Sequence, residues 1–166
     1  IIHGNRPVLA NDVVQRIMYD NLASTGGFAY SRKEQEFAES IYSTLTKPDL
    51  EISSANEIQP YAFKRGKGST DVGDVSWMVP TAGLRTATWV PGTSAHSWQA
   101  VAAGGMSIGM KGMMIAAKTI AGAAVDLYND PEAIISAKQE LIERRGPKFN
   151  YYSMLGDRKP PLDYRK

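Results

Sequence analysis

Residues 107–128, SIGMKGMMIAAKTIAGAAVDLY, limit the possible folds of this chain more than any other stretch. From Met106 onward, Met110, Met113, Met114, Ala117, Ile120, Ala121 and Ala124 recur at helical spacing, which predicts one long helix with an apolar stripe. Such a stripe must find cover. Methionine fills irregular gaps, and alanine or glycine lets a helix lie close to its neighbour, so the stripe is expected to be core. Gly104-Gly105 marks a break from a shorter helical piece that begins near Trp98. Lys111 and Lys118 interrupt the run before it reaches the roughly 18 apolar residues of a membrane span, so the chain is expected to be soluble, with no membrane partner.

The rest of the chain supplies elements to pack around that helix. Val13, Ile17, Met18 and Leu22 give an amphipathic helix ended by Gly26-Gly27. Ser31 and Glu34 form a capping-box pair ahead of Phe37, Ala38, Ile41 and Leu45, with Pro48 closing that segment. Asp130-Pro131-Glu132 opens a last helix that Arg144, Arg145 and Gly146 end. Residues 84–90, LRTATWV, are β-branched and aromatic, alternate in part, and lie between Gly83 and Pro91-Gly92, which predicts a strand. Ile1-Ile2 before His3-Gly4-Asn5 reads as the end of another strand, as if cut from a longer protein. Helices around strand-rich loops point to α/β or α+β layers.

Composition narrows the partners. The 166 residues carry 19 basic and 17 acidic groups, net +2, too balanced to favour nucleic acid. The one dense basic run, KRGKGST, fails as a phosphate loop because Tyr61 stands where the first glycine belongs and Gly68 follows Lys67. With no cysteine, disulfides, thiolate catalysis and Cys-ligated zinc are excluded, and a cytoplasmic location fits. Any metal must use His, Asp or Glu.

Most groups suited to chemistry fall in residues 68–99. His96, in PGTSAHSW, follows the expected strand and enters a helix, a place where ligands and acid/base groups collect in layered proteins. A lone histidine is still more often structural or solvated. Asp71 and Asp74 are three apart and would share a face if Asp71 starts a helical turn, although Ser69, Thr70 or Asp71 would serve equally well as a helix cap. A Ser69, His96, Asp71 triad can be written, but no nucleophile-elbow G-x-S-x-G surrounds any serine. No H-x-D or Glu-Glu pair is present either, so the chain offers part of a metal site and not the whole.

Residues 68–81, GSTDVGDVSWMVPT, and 86–121, TATWVPGTSAHSWQAVAAGGMSIGMKGMMIAAKTIA, resemble the C-terminal part of the aminobenzoyl-glutamate utilization protein B-like amidohydrolases. These belong to the di-zinc aminoacylase and carboxypeptidase family, and NRPVLANDVVQRIMYDNL resembles that family's return from its lid domain. The resemblance implies an α/β fold: a central sheet with flanking helices, of which this chain is the second catalytic segment. Residues 1–7 would end the lid or linker, 8–146 would be catalytic domain, and 147–166 a surface tail.

The resemblance also implies chemistry. His96 matches a late histidine that ligates one of two divalent metal ions, zinc in the family, while Ser69, Thr70 and Asp71 match a loop near the substrate. The general base and the remaining ligands would come from a missing N-terminal segment, so the fragment alone is expected to be inactive. The implied substrate is a small-molecule amide, an aminobenzoyl-glutamate-like or N-acyl amino acid compound; apart from the resemblance, the basic loop offers groups such as Arg65 or Lys67 to meet a glutamyl carboxylate. A homo- or hetero-oligomer is implied as well. The alternative is a non-catalytic interaction or scaffold module, suggested by an unpaired N-terminal strand and a small-residue apolar helix.

Overall fold

The structure, a computed structural model, describes residues 4–64, 66, 68, 70–159 and 162. It divides into two units: Ile1–Gln15, Lys64–Ala82 and Glu132–Lys166 form the first, and Arg16–Phe63 with Gly83–Pro131 form the second. The elements are α1 (Asp12–Thr25), α2 (Arg32–Tyr42), a 3-10 turn at Ile52–Asn56, α3 (Val72–Ser76), α4 (Trp98–Gly104), α5 (Ser107–Asn129) and α6 (Pro131–Arg145). Helix α1 begins in the first unit and ends in the second.

Among the described residues there is no β-strand, so the expected α/β fold with a central sheet is not what this chain forms. Residues 84–90 do stay out of helix, as their branched and aromatic side chains require. A strand also needs a neighbour to exchange ladder hydrogen bonds with, and no other described segment of this chain provides one. The initial strand reading, Ile1 to His3, lies outside the described residues.

In the second unit the core is Ala38, Ile41, Val90, Ala103 and Ile108, with Phe28, Phe37, Tyr42 and Trp89 packed around it. The expected capping box is present: Ser31 Oγ accepts from Glu34 N at 3.4 Å and Ser31 N donates to Glu34 Oε2 at 2.7 Å. The expected break is present too, with α4 ending at Gly104 and α5 starting at Ser107.

Helix α5 overturns one expectation. Its buried residues are Ile108, Gly109, Gly112, Thr119 and Ala123, whereas Met110, Met113 and Met114 are about half exposed. The reason is close approach. A Cβ placed on Gly112 would stand 2.7 Å from the Ala87 carbonyl oxygen, so the helix rests its glycine face on residues 84–90 and turns its methionines outward. Two lysines also prove too few to disqualify the run, because by length and composition α5 is long and apolar enough to cross a membrane.

In the first unit Arg6 stacks on Trp77, Phe149 and Tyr152, and polar groups tie the start of α1 to α6. Buried Asn11 accepts from Val14 N at 3.2 Å, capping α1, and donates to Ala137 O of α6 at 2.8 Å. The Glu140 carboxylate accepts from Asp12 N at 2.8 Å and Val13 N at 3.0 Å, satisfying further open donors of the same helix start. Arg144 then bridges Asp12 and Glu140 at 2.6 and 2.8 Å.

Candidate functional site

His96 stands in a loop whose backbone is fixed on both sides. Before it, Thr93 N donates to Val90 O at 3.1 Å in a turn where Gly92 has φ 82°. After it, Ser97 Oγ accepts from Ala100 N at 3.2 Å, capping α4, and donates to Ser94 O at 2.7 Å. Between these two anchors His96 is held at φ 58°, a left-handed conformation that costs a side-chain-bearing residue about 1 kcal/mol. Its imidazole is exposed on a shallow cleft of 490 Å³, shared with Trp89, Trp98 and Val101.

A deeper cavity of 710 Å³ lies in the same unit, within the range of small-molecule sites. Phe28, Leu50, Trp89 and Ile115 give it apolar walls, and Glu57 and Arg85 bring charge to them. Thr93 also lines it, and its Oγ1 is buried without a hydrogen-bond partner among the described residues. The sequence pattern marks residues 84–90 only as a strand and gives no sign of Arg85 or Glu57 as cavity groups. Trp89 lines both hollows.

The third polar feature of this unit is closed on itself. The Glu34 carboxylate accepts from Lys111 Nζ at 2.6 Å, Ser107 Oγ at 2.6 Å and Ser31 N at 2.7 Å. Those bonds, Lys111 first, pull its pKa down to about 2. Burial, with Glu34 nearby as the smaller cause, pushes the Tyr30 hydroxyl up to about 12. The capping box is legible in sequence, but the Lys111 and Ser107 contacts are not, since 77 and 73 residues separate them from Glu34.

The other candidate residues lie in the first unit. Thr70 Oγ1 accepts from Val72 N at 3.3 Å, and its carbonyl accepts from Asn5 Nδ2. Asp71 is exposed and makes no side-chain cap bond to α3, which removes the capping role expected of it. Asp74 Oδ1 accepts from Arg6 N at 3.2 Å. Nearby, Leu9 N donates to Ser76 Oγ at 2.8 Å and Trp77 Nε1 to Pro7 O at 2.8 Å. Close packing reinforces these ties, because a Cβ on Gly73 would overlap the Arg6 carbonyl oxygen. Ser69, Arg65, Lys67 and His3 lie outside the described residues.

No group of three or more His, Asp or Glu among the described residues is placed to hold a metal ion. His96 is one exposed donor, and the described part of the chain does not by itself make a metal centre.

Among curated proteins, the chain is similar to part of a hydrolase. That relative is the B subunit of the p-aminobenzoyl-glutamate hydrolase of Escherichia coli (strain K12), 34% identical over 157 residues, which is 80% of this chain and 33% of the relative. The match bears out the resemblance drawn from residues 68–81 and 86–121. The chain spans about a third of the relative's length. No family model matches the chain, and no solved structure matches it.

Proposed function

We propose that this chain is the C-terminal part of a metal-dependent amidohydrolase that cleaves the amide bond of an aminobenzoyl-glutamate-like or other N-acyl amino acid substrate. The observation that carries this reading is the 34% identity to a hydrolase subunit along most of the chain. The loop geometry is compatible with it, since the His96 imidazole is exposed on a left-handed backbone between two anchored turns, although Lys47 shares that backbone conformation.

In this reading His96 holds one of two divalent ions, zinc by family resemblance, with its imidazole as the donor. Bound metals of this kind supply an activated water and polarise the scissile carbonyl. The other ligands and the general base belong to a longer N-terminal segment, and this chain alone is inactive. Ser69, Thr70 and Asp71 border the substrate. The domain division at residues 7 and 146 and a cytoplasmic setting are part of the same proposal. Because the relative is named as a subunit, assembly with another subunit is included as well.

The test is His96→Ala in the full-length protein. Loss of one metal equivalent, together with most p-aminobenzoyl-glutamate hydrolysis, is expected. Full activity with both metals retained refutes the assignment. The second reading, a non-catalytic interaction module, draws on the exposed apolar face of α5, and it is favoured if the full-length protein binds no metal and hydrolyses no N-acyl amino acid.

A further inference from the structure

The bare face of α5 is a feature that the hydrolase reading leaves unused. At 100° per residue, Met110, Met113, Met114, Ala117, Ala121, Ala124, Val125 and Tyr128 fall within about 60° of one line along the helix. All eight are exposed, with Met113 at 53% and Tyr128 at 89%. None carries a charge, and the nearest lysines, Lys111 and Lys118, sit toward the flank. From Met110 to Tyr128 the stripe runs about 28 Å along the helix and, at about 10 Å wide, covers roughly 280 Å², within the ordinary size of apolar patches on free monomers.

The chemistry of the stripe says what fits it. Alanines at its centre, at positions 117, 121 and 124, leave a shallow channel that admits another backbone closely, with methionines at one end to fill irregular gaps. A helix lying on lipid carries instead a wide Trp, Phe or Leu face and a solvated basic face opposite. Here the opposite face is already packed within the unit by Gly109, Gly112 and Thr119. The relative matched by this chain is about three times as long as the matched region, so a much longer polypeptide accompanies the same segment there, tethered at high effective concentration.

We infer that the exposed stripe of α5 is an intramolecular interface, covered by an apolar helix from the part of the longer polypeptide that lies outside this segment. The inference rests on the reading of the chain as part of a larger hydrolase. It is tested in the full-length protein by peroxide oxidation of Met110, Met113 and Met114, followed by mass spectrometry and compared with the same protein in denaturant. Oxidation at least about tenfold slower in the native state, at every protein concentration and without lipid, is expected, because methionine oxidation follows exposure.

Rapid oxidation of all three overturns the inference. Protection that vanishes on dilution points to a second copy, and protection that needs vesicles points to a membrane; each overturns it too. Ala121→Glu should lower the thermal stability of the full-length protein and speed oxidation of the three methionines. Where that variant fails to fold, Ala121→Met should still speed it by wedging the interface. The readout needs neither metal nor activity. Protected methionines in a protein that hydrolyses nothing would sink the functional reading alone, and free methionines in an active hydrolase would sink only this inference.

Discussion

The two loops that carry the family resemblance use their polar groups in opposite ways. In residues 70–77, Thr70, Asp74, Ser76 and Trp77 all hydrogen-bond to groups among residues 5–9 or within α3. In residues 91–98 the anchors are Thr93 N and Ser97, and the imidazole between them has no hydrogen-bond partner among the described residues. Committing a polar side chain to a backbone partner fixes a loop but removes the group from chemistry. Leaving one free, on a strained backbone, keeps it for a ligand. By that measure His96 is the functional candidate, Asp74 is tied to the Arg6 backbone, and Asp71 makes no cap bond to α3.

The sharpest way to break this contrast is His96→Ala in the full-length protein, where a loss of about 100-fold or more in amide hydrolysis is expected on losing a metal ligand. A loss of similar size from Asp74→Ala would erase the distinction between the loops. Next in size is Lys111→Ala, which strands the Glu34 carboxylate among Ser31 and Ser107. Thermal unfolding should show a loss of about 1–3 kcal/mol, reduced from the fully buried case because Lys111 is partly exposed.

The same network has a pH signature. Glu34 has a folded pKa of about 2, below its ordinary 4.5, so its contribution is complete above about pH 4.5 and is lost as pH falls toward 2. Lys111→Ala should flatten that part of the stability profile measured by denaturant titration; an unchanged slope would mean that Lys111 does not hold the carboxylate down.

A smaller effect should come from His96→Gly. Relief of the left-handed backbone should make the metal-free protein about 1 kcal/mol more stable than the alanine variant, although neither should bind metal at that position. Equal midpoints in calorimetry would show that the strain is absent in solution. Asp71→Ala should change stability by less than about 0.5 kcal/mol, as for an exposed group with no cap bond. Any activity change it produced would then belong to substrate contact and not to folding.

Sequence determined the local features whose causes are local. The Ser31 capping box, the stop at Gly26, the Gly104-Gly105 break and the last helix from Pro131 each depend on residues within one or two turns of each other. His96 was also legible, as the histidine of a loop that leads into a helix. Three things depended on partners distant in the chain, and only the tertiary structure decided them. Residues 84–90 have strand chemistry but no neighbour to pair with, so the expected sheet is absent among the described residues. Lys111 and Ser107 reach Glu34 only because α5 lies beside the start of α2. Periodicity shows that α5 has an apolar stripe, but which face is buried was settled by the 2.7 Å approach that Gly112 would forbid to any larger residue.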